Sequence, residues 1–243
     1  MLRNDFIYNC WQVYAEAQKL YDLDLKESFR KLTFITDRQD VLSYKMYKYG
    51  SDVMFTAKTE TFIYIVFLGS NDLLDWKNNF DFKLIDLGNN CKVHEGFYTS
   101  SMKFQDIIQA ECKPYNSRNI VFVGHSRGGA LAMTAGINYG QIYSTSNHLN
   151  IVTYGQPRVG NHNYIKLLQL YNITDCRVLF AHDIVCDLPP VELGYEHPWF
   201  GDKLVLQSSW WHNLPFMFKR VHLDYDRTIN TKFVKTIYTR QDY

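Results

Sequence analysis

Apolar positions along the chain follow two rhythms. VMFTAKT and TFIYIVFLG are short, dense runs rich in β-branched and aromatic residues, which predict strands. VLSYKMYKYG just before them also reads as a strand, so this region predicts hairpin-like antiparallel pairing. Near the N-terminus Phe6, Ile7, Cys10, Trp11, Val13 and Tyr14 recur at helical spacing, predicting an amphipathic helix over about residues 5–20. A second helix is expected from about Gly96 to Cys112, where Phe97, Met102, Phe104, Ile107 and Ile108 share a broad face.

Beyond that point apolar strands and helices alternate. NIVFVGH, LNIVTYG, DCRVLFAH and KLVLQSSW read as strands, with helices from roughly Arg127 to Asn138 and Tyr164 to Tyr171 between them. Strands buried on both faces read as continuous apolar runs, so this half predicts a mostly parallel sheet covered by helices on both faces. The fold class is α/β, with the earlier strands as an antiparallel edge portion. With no repeat, low-complexity tract or Pro/Gly/Ser-rich linker, residues 1–243 are expected to form one domain.

Composition narrows the function classes. A chain of 243 residues, 46% hydrophobic and 16% aromatic, can bury a sizeable core. The formal net charge of +1, with charges dispersed, gives no electrostatic reason to expect a nucleic-acid partner. No apolar run reaches the length of a transmembrane segment. Asp5 stands where a signal peptide needs apolar residues, and Cys10, Cys91, Cys112, Cys176 and Cys186 lack metal-ligand spacing. Reduced, buried thiols in a cytoplasmic or otherwise intracellular protein are therefore the expectation.

Candidate chemistry centres on VFVGHSRGG. Gly124-His125-Ser126-Arg127-Gly128 is a G-x-S-x-G pattern with a strand before it and a helix after it. A sharp strand-to-helix turn holds the serine in strained angles, and only glycine leaves room at the flanks. The hydroxyl then projects from the sheet edge, and the backbone N–H of Arg127 points to where an oxyanion would form. The competing reading is a glycine-rich turn without chemistry.

A nucleophilic serine needs a base, and the base an orienting acid, here expected in the order serine, acid, histidine. Asp183 follows VLFAH and lies just past a strand end. Asp187 is the competitor, and Asp175 lies before the strand, at the wrong end of a parallel sheet. His197, His212 and His222 all follow Asp183, and position slightly favours His222.

Several separated blocks, spread over about residues 60–227, resemble the class 3 lipase family, fungal-type lipases with an α/β-hydrolase fold. They are IYIVFLGSNDLLDWKNNFDF, KVHEGFYTS, VFVGHSRGGALA, VTYGQPRVGN, HDIVCDLPP, LGYEHPWFGDKLVL and VHLDY. The resemblance implies Ser126 as nucleophile, Asp183 as acid and His222 as general base, and it makes His197 a non-catalytic histidine. It also implies that the backbone N–H groups of Ser70 and Arg127 form the oxyanion hole. Two positions depart from the family pattern. Arg127 stands where leucine is more usual, and Leu68 where an arginine is usual. The Arg127 side chain would either charge the pocket rim or pair with an acid.

Residues 71–80 read as a short helical lid, with Leu73, Leu74 and Trp76 clustered on one side; a plain capping helix is the alternative. SSWWHNLPFMF, with Trp210, Trp211, Leu214, Phe216 and Met217, suits an acyl pocket, a membrane contact or core packing. The expected activity is hydrolysis of lipid carboxylic esters, of acylglycerol lipase or phospholipase A1 type. The expected partners are an ester substrate and, peripherally, a lipid surface. No cofactor and no metal are expected. A soluble short-chain or aryl esterase, and a catalytically silent lipid-binding protein, are the alternatives.

Overall fold

The computed structural model describes residues 4–23, 27–28, 32–33, 40–41, 43–59, 61–69, 81–115, 119–143, 149–180, 183–206 and 237–238. Helix α1 spans Asn4–Asp22. Three short strands follow, β1 (Glu27–Ser28), β2 (Leu32–Thr33) and β3 (Asp40–Val41), then the longer β4 (Ser43–Tyr49), β5 (Asp52–Lys58) and β6 (Ile63–Phe67). A small hairpin, β7 (Leu84–Asp86) with β8 (Lys92–His94), leads into helices α2 (Glu95–Met102) and α3 (Gln105–Cys112). Strand β9 (Ile120–His125), helix α4 (Arg127–Tyr143), β10 (Leu149–Tyr154), α5 (His162–Leu170), β11 (Thr174–Phe180), β12 (Asp202–Leu206) and β13 (Ile237–Tyr238) complete the order.

Among the described residues one sheet has nine strands, in the order β1-β4-β5-β6-β9-β10-β11-β12-β13. The five from β6 to β12 in that order run parallel, and β1, β4 and β5 form the antiparallel edge. β13 adds an antiparallel partner at the opposite edge, beyond the one edge expected.

The apolar runs divide by strict alternation. Tyr64, Val66, Val121 and Val123 face α1 with Trp11, Tyr14 and Ala17, while Ile63, Ile65, Phe67, Ile120 and Phe122 join the core formed with α2, α3, α4 and α5. Because both faces are buried, the strands read as unbroken hydrophobic runs rather than as polar–apolar alternation.

The single helix expected over 96–112 is two helices. Lys103 ends α2 and Phe104 caps α3 with no side-chain bond. Phe104 is fully buried, edge-on to Phe67 at 5.5 Å and to Tyr49 at 5.1 Å. Burying an aromatic ring of this size stabilises by a few kcal/mol, more than the loss of one helical hydrogen bond costs. Helix α4 also runs past Asn138 to Tyr143. None of the five cysteines forms a disulfide among the described residues, as expected, but Cys91 is only half-buried.

Candidate active site

The C-terminal ends of the parallel strands bring the candidate chemistry to one edge. At the end of β9, Ser126 has φ +54°, a left-handed conformation that is costly for any residue with a Cβ. Two glycines make the turn possible. A Cβ on Gly124 would lie 2.2 Å from the carbonyl oxygen of Gly128, and one on Gly128 would lie 2.3 Å from that of Phe67. The strained peptide is pinned by Ser126 N–H donating to Tyr154 O at 2.8 Å and Gly129 N–H donating to Ser126 O at 2.9 Å. Arg127 then opens α4, where the first N–H groups have no partner within the helix.

Gly69 closes on this elbow from β6. A Cβ there would lie 3.0 Å from His125 O and 3.7 Å from Ser126 Cβ. The Gly69 backbone hydrogen-bonds Tyr14 of α1, and burial outweighs that bond to push the Tyr14 phenol up. His125 is buried beneath the rings of Trp11 and Tyr14, at 6.2 and 5.9 Å. Leu68 lies in the same α1-side core. Helix α1 is therefore the floor of the elbow.

Arg127 does not project into the site. Its Nη2 lies 2.6 Å from Asp52 Oδ1 and donates to Ser100 Oγ at 3.1 Å, and Lys103 Nζ donates to Asp52 Oδ2 at 3.0 Å. The Arg127 side chain is 15% exposed and that of Asp52 only 3%. Burial pushes the Asp52 carboxyl up, but the Arg127 charge, with hydrogen bonds from Arg127, Lys103 and Ser100, outweighs it and holds the group below its usual value. Of the two roles expected for this arginine, pairing with an acid is the one observed.

Two strands away, roughly 10 Å across the sheet by strand spacing, Asp183 follows β11. It is buried and accepts from Val185 N–H at 3.1 Å, capping the short turn Ile184–Asp187. Asp187 sits at the other end of that turn with its side chain 79% exposed, 3.8 Å from Arg158. Arg158 staples the loop. Its guanidinium donates to Asp187 O and, at 2.8 Å, to Pro189 O, while its own N–H donates to Leu188 O at 2.7 Å. Its place in VTYGQPRVGN marked the stretch, but nothing in the spacing showed this task.

The other described histidines of interest are structural in their contacts. His197 Nε2 lies 2.7 Å from Cys186 O, and burial, reinforced by the charge of Arg177, holds its pKa well below the ordinary value. His94 caps α2 by accepting from Gly96 and Phe97 N–H at 3.1 and 3.3 Å, and burial pushes its pKa down to about 4. The structure thus brings Ser126, Arg127 and Asp183 to one edge. Ser70, Leu73, Leu74, Trp76, His212 and His222, with the Trp210–Met217 segment, lie outside the described residues. The roles of Asp52, Ser100 and Tyr14 at this edge were not legible in the sequence, because each acts across a long chain separation.

Comparison with known proteins agrees with this geometry. The family model described as "Lipase (class 3)" matches residues 64–193, more than half of the chain. The chain belongs to the class 3 lipase family. A lipase from Rhizomucor miehei is 33% identical over 147 residues, covering 57% of this chain and 40% of that protein. A secreted mono- and diacylglycerol lipase 1 from Fusarium solani is 33% identical over 135 residues, covering 53% and 40%. The solved Rhizomucor miehei lipase propeptide complex superposes with a TM-score of 0.67 at 24% identity, covering 83% of this chain and 67% of that one, which supports the α/β-hydrolase fold. The chain spans about two-fifths of the length of these curated relatives.

One expectation is corrected here. The intracellular assignment drew on Asp5 and on reduced thiols, yet this member of the family resembles an enzyme named as secreted. Residues Asn4–Asp22 form a helix packed on the sheet, and the five cysteines stand on five separate segments of the fold. Neither observation bears on the compartment.

Proposed function

We propose that this chain, as a single α/β unit, hydrolyses carboxylic esters of lipids, with an acylglycerol or a phospholipid sn-1 ester as substrate. Ser126 is the nucleophile, Asp183 the orienting acid and His222 the base. The observation that carries the reading is the left-handed Ser126 between two glycines that tolerate no Cβ. Such strain persists only where the surroundings over-determine it, and it costs about 1–3 kcal/mol. A turn without chemistry has no need of it.

In this mechanism His222 takes the Ser126 proton as Oγ attacks the ester carbonyl, and the N–H groups of Ser70 and Arg127 hold the oxyanion. The alcohol leaves with the proton from His222. Water, deprotonated by the same histidine, then attacks the acyl-enzyme and releases the fatty acid. Asp183, held by Val185 N–H, keeps a fixed position to orient the imidazolium. Residues 71–80, with Leu73, Leu74 and Trp76, act as a lid over the acyl site.

Preference for lipid over a short soluble ester is supported by exposed Ile184, Val191 and Leu193, all in the loop that follows the acid. Among the described residues no helix is long and apolar enough to cross a membrane, so contact with lipid is peripheral in this reading. A fluorophosphonate probe is expected to label the wild type and not Ser126→Ala. Turnover of long-chain emulsified esters is expected to exceed that of short soluble ones. Labelling of Ser126→Ala at the wild-type rate sinks the nucleophile assignment, and preference for short soluble esters sinks the lipase reading.

A further inference from the structure

We propose that Asp52 is a positioning residue for the oxyanion hole, fixing the Arg127 peptide N–H against the strained Ser126 through the ion pair with the Arg127 side chain. The inference rests on the reading of Ser126 as nucleophile. Oxyanion donors work only when held close to the geometry of the transition state, so a donor on the first residue of a helix needs that residue clamped. Ser126 is pinned toward β10 by Tyr154 O. On the β5 and β6 side, Gly128 lies against Phe67 and Leu68 with no room for a side chain. Arg127 is the residue between them, and its amide follows the strained peptide directly.

The clamp draws on three elements. Asp52 is the first residue of β5, at the edge where β6 ends, because the two strands are antiparallel and Met54 pairs with Phe67. Ser100 lies in α2. Lys103 reaches Asp52 because the chain turns between α2 and α3, where Phe104 drops into the core. One carboxylate is thus bonded from the start of α4 and from the α2–α3 break, and the guanidinium is shared between that carboxylate and Ser100.

Stability alone is a poor reason for this arrangement. Desolvating a carboxylate and a guanidinium costs several kcal/mol each, and an apolar pair of similar size often does as well or better. What the ion pair adds is direction. An ion pair to Asp52 and a hydrogen bond to Ser100 on one guanidinium fix the side chain, and through it the backbone, in a way a leucine that can shift along its contacts does not. The same pairing withdraws the arginine from the substrate, so Arg127 meets neither headgroup nor fatty acid through its charge.

The test measures Asp52→Asn, Arg127→Leu and the double variant on a soluble p-nitrophenyl butyrate, per active site titrated with fluorophosphonate, well below each melting temperature. The Ki of a trifluoromethyl ketone, whose adduct carries the oxyanion, is measured in parallel. Asp52→Asn is expected to lower kcat about ten-fold with KM within two-fold, since small misplacement of a reacting group has effects of this size. Ki is expected to rise by the same factor as kcat/KM falls. The double variant is expected to be no worse than the poorer single one. Ser100→Ala, a milder change, is expected to lower kcat about three-fold. Loss of melting temperature with unchanged kcat and Ki, in Asp52→Asn or in Ser100→Ala, overturns the proposal. So do losses that multiply in the double variant. A wild type that neither turns over ester nor takes the probe instead overturns the ester-hydrolase reading beneath it.

Discussion

Two buried aspartates stand at opposite ends of the same sheet, and their carboxyls are driven in opposite directions. Asp52, at the edge that carries Ser126, has Arg127 Nη2 at 2.6 Å and Lys103 Nζ at 3.0 Å. Asp175, near the start of β11, has Arg177 Nε at 3.7 Å, and neither of its oxygens has a hydrogen-bond partner among the described residues. Burial pushes Asp175 up to about 7; Arg177 offsets only part of this, and Asp202 on the neighbouring strand adds to it. Burial penalises both anions. The number and closeness of donors decide which of them stays ionised. The edge proposed to do chemistry is the one whose carboxylate has two cations within 3.0 Å.

Removing one partner at the Ser126 edge tests the contrast most strongly. Arg127→Leu leaves buried Asp52 with the more exposed Lys103 and the neutral Ser100, and is expected to cost about 3 kcal/mol in denaturant unfolding at pH 7. A loss below about 1 kcal/mol means that Lys103 and Ser100 suffice, and the contrast collapses.

The pH dependence comes next in size. A carboxyl whose folded pKa is raised binds more protons folded than unfolded, so its stability contribution falls as pH rises. For Asp175 that window runs from the ordinary carboxylate value of about 4 to about 7. Asp52, held below its usual value, behaves in the opposite sense: its contribution is present above about pH 4 and is lost as the pH falls further. Asp175→Asn is therefore expected to flatten the fall in melting temperature between pH 4 and 7, and Asp52→Asn the fall below pH 4. An unchanged wild-type slope in Asp175→Asn breaks the assignment.

The smallest effect is expected for Lys103→Met, whose side chain is 44% exposed. About 0.5 kcal/mol, diminished further by salt, fits a solvent-screened contact. A loss of several kcal/mol would make Lys103 a principal partner of Asp52.

What could be read from the sequence follows the range of the forces involved. The strands, α1 and the nucleophile turn were legible because period-two burial, helical spacing and glycine sterics act within a few residues. The α2–α3 break was not, since neither Lys103 nor Phe104 is a helix breaker and the pull on Phe104 comes from Tyr49 and Phe67. Helix α4 passes through Gly140, a residue that reads as a stop, because a Cβ there would crowd Ile173 and Tyr171 and its absence permits close packing. In the candidate site, Asp183 stood out by its place after a strand. Asp52 did not, because its partner is on a helix separated from it by four strands and two helices along the chain.

The floor of the elbow also sets an order of assembly during synthesis. Trp11 and Tyr14 are made more than 100 residues before the His125 they cover. At ribosomal speeds that is a wait of about 10 s. Through it, the apolar face of α1 has no β9 to rest on and offers chaperones a sticky surface. Leu68 emerges midway and gives the helix a first foothold, but the seat beneath Ser126 closes only when β9 itself has left the ribosome.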